Sequence, residues 1–166
     1  ASMNACPGGY YNHPERPGLC PPGAVQKYMN KISGPLLDRI DIQIEIVPVP
    51  FEKISIQTPS EPSAHVRERV IKARAIQEER FKAHPGIYCN AQMETKQLHQ
   101  YAIPDSAGMQ LLKQAMTRLN LSARAYDRIL KVSRTIADLD GTEKIETPHL
   151  AEAIHYRNLD REGWGT

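Results

Sequence analysis

The chain of 166 residues is long enough for one domain of ordinary size or for two small lobes. Its 40% hydrophobic and 24% charged residues are near globular averages, and a net charge of +2 excludes a large basic field, so any nucleic-acid contact would need a local patch. No apolar run approaches the roughly 20 residues that span a bilayer, and the first residues lack the pattern of a signal peptide. The three cysteines are an odd number and make no disulfide framework. We therefore expect a cytoplasmic protein with no membrane partner.

The first third of the chain predicts a loop, a helix and one strand. Residues 5–23 are dense in Gly and Pro, which prevent long helices. Residues 24–33 place apolar side chains at helical spacing, and Gly34-Pro35 ends the run. The segment 41–47, DIQIEIV, alternates strictly and predicts a half-buried strand. One strand cannot make a sheet alone, so the chain reads as part of something longer.

The remaining residues predict helices. Four helix starts are marked by residues that favour the N-cap position: Ser63, Asp105, Ser122 and Thr147. Thr147 is also followed by a proline, which favours the first turn of a helix. The first of these helices carries a predicted inward stripe: Val66, Val70, Ala73 and Gln77. The most regular stripe is Leu121, Ala125, Ile129, Val132, Ile136 and Leu139. A shorter helix is predicted over 94–102, so the expected fold class is mainly α.

Several phrases follow one another in a specific order. They are MNACPGGYY, ISGPLLDRIDIQIEI, NAQM, LSARAYDRILKVSRTIADLDG and HLAEAIHYR. Together they closely resemble the C-terminal part of the magnesium-chelatase-like ComM/YifB family of bacterial AAA+ ATPases, over almost the whole chain. The resemblance implies a fragment of an AAA+ module. Residues 1–60 would end the α/β core with its last strand, and residues 61–166 would form a helical-bundle lid.

The resemblance implies three residues that respond to nucleotide. Arg39 matches an arginine finger, which reaches the γ-phosphate bound by the next subunit. Asn4 matches the sensor-1 position and Arg124 the sensor-2 position on the lid. The residues alone also allow Arg39 to pair with Asp38 or Asp41 at the surface, and Asn4 to close a turn. The helix dipole disfavours a cation at a helix start by about 0.3–1 kcal/mol, so an outside anion would account for Arg124.

The Gly/Pro-rich loop resembles a zinc site that has been lost. The family pattern carries two Cys-x-Cys pairs, which suggest tetrahedral zinc. Here Cys6 and Cys20 remain, Gly8 and Gly18 stand at the other two positions, and His13 is the remaining nearby candidate. We expect no bound zinc and interpret the two cysteines as remnants.

Three further side chains are interpreted as structural. Cys89 is expected to be a small apolar packing residue. Arg128 and Arg134 are expected on solvated helix surface.

The chain carries no phosphate-binding loop of the form G-x-x-x-x-G-K-[ST], because it contains no Gly-Lys pair. This piece should therefore hold neither ATP nor Mg²⁺ and should not hydrolyse ATP, whereas the full-length protein would use both. The resemblance implies that the full-length protein is an ATP hydrolase that assembles with itself into a hexamer. It also implies that this hexamer remodels DNA, as a motor of the branch-migration or competence type. The alternative is a stand-alone helical module that binds nucleic acid or protein, with no ATPase activity, through the basic stretch 65–82 and the Tyr10-Tyr11 loop.

Overall fold

The computed structural model describes residues 2–4, 21, 23–46, 49–55 and 60–157. These residues are mainly helical, as the sequence predicts, and none of their helices is long and apolar enough to cross a membrane. In chain order the helices of the described ranges are α1 (Ala24–Met29), α2 (Gly34–Leu37), α3 (Phe51–Ser55), α4 (Ser63–Phe81), α5 (Thr95–Tyr101), α6 (Ser106–Arg118), α7 (Ala123–Leu139) and α8 (Thr147–His155). A 3₁₀ turn covers Asn90–Gln92.

Helix α7 lies at the centre of the helical part. It contacts α4, α5, α8 and the 3₁₀ turn, and α6 packs against α8. The predicted stripe of α7 is confirmed along most of its length, but Leu139 at its end is exposed. The hydrophobic core is formed by buried apolar side chains from α7 and from the segments that pack around it: Phe81, Met93, Leu98, Leu112, Ile129, Leu130, Ile145 and Leu150. Burying such side chains supplies about 1.5–3 kcal/mol each, which offsets the entropy of ordering these helices.

Two of the predicted helix caps are confirmed. The Asp105 carboxylate accepts a hydrogen bond from the backbone N–H of Gly108 at 2.7 Å, at the start of α6. The Ser122 hydroxyl accepts one from the backbone N–H of Ala125 at 3.2 Å, at the start of α7. Each bond satisfies a donor that the first helical turn leaves without an intrahelical partner.

The other two predicted caps, Ser63 and Thr147, are wrong. Each is the first residue inside its helix, and the cap positions are Pro62 and Glu146. The Glu146 side chain accepts from the first turn of α8, and the Glu146 backbone N–H donates to Nδ1 of His149 at 3.0 Å. This reciprocal pair satisfies the donors that Thr147 was expected to serve.

The predicted inward stripe of α4 holds only in the second half of the helix. Ala73 and Gln77 are buried, and Phe81 ends the helix inside the core. Val66 and Val70 are exposed, because the first half of α4 extends beyond the elements that cover its second half. A stripe becomes a core face only where another element packs against it.

The predicted strand over 41–47 does not form within the described residues. Residues 42–46 have no strand structure, and Ile44 and Ile46 are 67% and 89% exposed. No described segment runs beside them to complete a ladder, and the backbone N–H of Gln43 donates instead to the carbonyl of Tyr156 at 3.1 Å. A strand needs a neighbour, so local alternation did not suffice.

Candidate functional site

Arg39 lies in a tight turn directly after α2. The backbone N–H of Arg39 donates to the carbonyl of Leu36, and that of Ile40 donates to the carbonyl of Leu37, both at 3.0 Å. Pro35 stands in the first turn of α2, where a proline is tolerated, and this short helix ends at Leu37. The side chain of Arg39 is exposed. The turn therefore presents a guanidinium outward from a backbone that is held by its own hydrogen bonds.

The two acidic neighbours of Arg39 pair with other arginines. Asp41 lies 3.0 Å from Nη1 of Arg128, and Asp38 lies 3.8 Å from Nη2 of Arg157. Within the described ranges Arg39 has no ion pair with either of them, so the surface pair that the residues alone allowed does not form there. Arg128 is half-buried and paired, which corrects its expected place on solvated surface.

Arg157 is the buried residue of this region that the sequence reasoning missed. It is 1% exposed and follows the last turn of α8. Its Nη1 donates to the carbonyl of Ile40, and its Nη2 donates to the carbonyl of Leu37 at 3.4 Å. A signal was present, because Arg157 continues the helical spacing of the buried Leu150 and Ile154.

Arg124 and Asn4 are exposed, as a contact with bound nucleotide would require. Arg124 is the second residue of α7, beside the Ser122 cap. Within the described residues no hydrogen bond or ion pair joins Asn4, Arg39 or Arg124 to one another. Their roles toward nucleotide stay predictions.

A buried polar network joins α4 to α7. Asp138 accepts hydrogen bonds from Arg80 at 2.5 and 2.7 Å, from Nε of Arg134 at 3.1 Å and from Nδ2 of Asn90 at 2.7 Å. Arg134 is 2% exposed, so its expected place on solvated surface is wrong. A guanidinium can be buried there because a carboxylate and two backbone carbonyls take its N–H groups. Burial lowers the pKa of Arg134, and the Asp138 carboxylate acts in the opposite direction.

A cleft of about 260 Å³ lies between Asp41 and Ile42 on one side and α7 and α8 on the other. Its walls are mainly apolar. Lys131 lines it and donates from Nζ to the carbonyl of Ala91 at 3.0 Å. Burial lowers the pKa of Lys131, and the nearby charge of Arg128 acts in the same direction. The cleft marks the seam along which the residues after Arg39 meet the helical part.

The cysteine interpretations have different outcomes. Cys6 and Cys20, with Gly8, Gly18 and His13, lie outside the described residues. Within the described part, no three His, Cys, Asp or Glu side chains converge as metal ligands. Cys89 is half-buried, and its Sγ donates a weak hydrogen bond to Oε1 of Gln92 at 3.6 Å, while its apolar packing stays a prediction.

Comparison with known proteins gives two adjoining family matches. The family described as magnesium chelatase, subunit ChlI C-terminal, matches residues 60–157, and the one described as magnesium chelatase, subunit ChlI, matches residues 1–54. The first match covers more than half of the chain.

Curated relatives extend the same similarity. Competence protein ComM of Haemophilus influenzae is 42% identical over 162 residues, which are 97% of this chain and 30% of the relative. Uncharacterized protein YifB of Escherichia coli is 40% identical over 165 residues, which are 97% of this chain and 31% of the relative. An uncharacterized protein of Mycobacterium tuberculosis is 33% identical over 139 residues, or 84% of this chain and 27% of the relative. The chain thus spans less than a third of the length of these relatives, and it belongs to the magnesium-chelatase-like ComM/YifB family.

Proposed function

We propose that this chain is the sensor and lid part of a ring-forming AAA+ ATPase in which Arg39 acts on nucleotide bound by the neighbouring subunit. The family to which the chain belongs is a magnesium-chelatase-like AAA+ family, which supports the ATPase assignment. Residues 1–60 complete the nucleotide-binding core and residues 61–166 form the lid. The phosphate-binding loop and the Mg²⁺ site belong to the rest of the full-length protein.

The observation that carries this proposal is that Arg39 is exposed at a tight turn and has no ion pair within the described part of the chain. Its acidic neighbours Asp38 and Asp41 are engaged by Arg157 and Arg128. Because the two carboxylates beside it are engaged by other arginines, the described neighbours leave the Arg39 guanidinium available. Phosphoryl transfer spreads negative charge over the transferred group, and a guanidinium delivered from another subunit neutralises that charge.

Arg124 and Asn4 take supporting roles in the proposal. Arg124 at the start of α7 contacts the nucleotide phosphates from the lid, and Asn4 orients the attacking water. The full-length protein uses ATP and Mg²⁺, assembles with itself into a hexameric ring and works in the cytoplasm. The name of the Haemophilus influenzae relative, a competence protein, gives loose support to DNA as the substrate of the motor.

Arg39→Ala in the full-length protein tests the proposal. We expect turnover to fall by about 10³–10⁵-fold, the range that arginine fingers supply, because charge in the transition state is no longer neutralised. The dissociation constant for ATP should change little, because ground-state binding is provided by the other subunit's own loop. Steady-state ATPase assays and equilibrium nucleotide binding measure the two quantities.

Arg67→Ala is the matched control, since Arg67 is an exposed arginine on α4, away from this turn. It should leave both quantities unchanged. Loss of ATP binding in Arg39→Ala would show that Arg39 is structural, and unchanged turnover would overturn its catalytic role.

A further inference from the structure

The guanidinium of Arg157 spans the backbone on both sides of Arg39. Its two terminal nitrogens donate to the carbonyls of Leu37 and Ile40, and only Asp38 and Arg39 lie between these two residues. Arg157 is 1% exposed, so it cannot itself reach a nucleotide held outside the chain. Its effect on any reaction must pass through the backbone that it holds.

Two further contacts fix the same stretch, the Arg39 segment (residues 37–43), to the last two helices. The backbone N–H of Gln43 donates to the carbonyl of Tyr156 at 3.1 Å. The Asp41 carboxylate pairs with Arg128 of α7 at 3.0 Å. The Arg39 segment is therefore attached to α7 by a charge pair and to the end of α8 by main-chain and side-chain hydrogen bonds.

The chemistry of Arg157 suits this attachment. A guanidinium is planar and presents its N–H groups as a rigid fork, so it can serve two carbonyls at once. A lysine at the same position carries a compact ammonium on a flexible stem and lacks the rigid planar fork, so it would hold the two carbonyls less firmly. Burying a cation is costly unless it is hydrogen-bonded, and the two carbonyls of the turn offset part of that cost for Arg157.

We propose that Arg157 is a positioning residue that holds the Arg39 turn against the end of α8 and so couples movement of the α7–α8 unit to the reach of Arg39. This inference rests on the proposed action of Arg39 on nucleotide. When the lid helices shift, the turn shifts with them, and the Arg39 guanidinium moves toward or away from the phosphate of the next subunit. Through Arg157 the lid thereby controls the contact between Arg39 and the nucleotide, although Arg157 itself does not touch the nucleotide.

Arg157→Lys in the full-length protein tests the coupling by two independent readouts. We expect kcat to fall by about 10²-fold, the effect of a displacement of about 1 Å in a reacting group, while KM and the ATP dissociation constant stay the same. We also expect faster amide hydrogen exchange, confined to peptides that cover residues 37–43, with exchange in α4 and α7 unchanged. Arg118→Lys, at an exposed arginine at the end of α6, is the control and should change neither.

A second variant serves if Arg157→Lys does not fold, as judged by its far-ultraviolet circular dichroism. Asp41→Asn leaves Arg157 in place and weakens the charge pair with Arg128 that holds the same segment. The same pattern is expected, with a smaller fall in kcat and faster exchange confined to residues 37–43.

The outcomes separate this inference from the proposed function. The tether variants are Arg157→Lys and Asp41→Asn. If Arg39→Ala abolishes turnover while both tether variants leave kcat and amide exchange unchanged, the positioning role of Arg157 is wrong and the ATPase proposal stands. If the tether variants speed exchange but Arg39→Ala leaves turnover intact, the proposed function fails and the coupling fails with it. A fall in kcat with localised faster exchange, in a protein that requires Arg39, supports both.

Discussion

The buried carboxylate of Asp138 accepts hydrogen bonds from two guanidinium groups. Arg80 reaches it from α4 and Arg134 from one turn earlier on α7, while Asn90 donates from the 3₁₀ turn. The remaining N–H groups of Arg134 go to the carbonyls of Thr142 and Glu143. The network is therefore satisfied only as a whole, and each member depends on the carboxylate charge.

Asp138→Asn should strongly destabilise the fold. The substitution keeps the size of the side chain but leaves the buried Arg134 and the partly buried Arg80 without a counter-charge, so we expect a loss of about 3–5 kcal/mol in the free energy of unfolding. Urea unfolding of the chain, followed by circular dichroism, measures it. Glu68→Gln, at an exposed carboxylate on α4, is the control and should stay within about 0.5 kcal/mol. A loss below about 1 kcal/mol for Asp138→Asn would contradict the assigned importance of the network.

The sequence predicts some of these side chains and not others. Arg39 and Arg124 are exposed, and their predicted contacts with nucleotide stay predictions. The burial of Arg134 was missed because a single apolar stripe predicts one buried face, whereas α7 is covered by neighbours on a wider arc that includes Ser133 and Asp138. Which polar residues fall inside that arc depends on packing that helical periodicity does not contain.

Among the helices, the starts of α4 and α7 offer a direct comparison of two serines. Ser122 accepts a hydrogen bond from the first turn of α7, whereas Ser63 lies inside α4 and makes no side-chain cap. The sequence predicted a cap at both positions because both serines precede apolar stripes. At α4 the cap position is held by Pro62, whose extended backbone precedes an exposed first turn that water can solvate.

Ser122→Ala should therefore cost about 1 kcal/mol in the free energy of unfolding, because a donor at the start of a central helix loses its acceptor. Ser63→Ala should change it by less than about 0.5 kcal/mol, since no cap is removed. Chemical denaturation of the two variants side by side makes the comparison. Equal losses in both would contradict the cap assignment.

The 41–46 segment shows the limit of local patterns at the scale of an element. Its alternation of isoleucine with polar residues is a good strand pattern, yet Ile44 and Ile46 stay exposed. Helices α5, α6 and α7 were predictable because their hydrogen bonds are internal to each segment. A strand obtains its bonds from another segment, and the described residues provide none beside it.

On the scale of the whole molecule, the chain joins two matched family regions through a small set of contacts. The Arg39 segment belongs to the first region, and α7 and α8 belong to the second. The buried Arg157, the Asp41–Arg128 pair and the Gln43–Tyr156 hydrogen bond connect them. These contacts hold the exposed Arg39 turn against α7 and the end of α8.

Subunit mixing tests the central claim, the action of Arg39 on a neighbouring subunit, most directly. One full-length variant carries Arg39→Ala, and the other has its own phosphate-binding loop disabled, so each is inactive alone. In rings mixed at equal amounts about a quarter of the interfaces should combine an intact loop with an intact Arg39, and turnover should return to about that fraction. Mixed rings that form, as shown by co-purification of two differently tagged variants, yet stay inactive at every ratio would contradict the account.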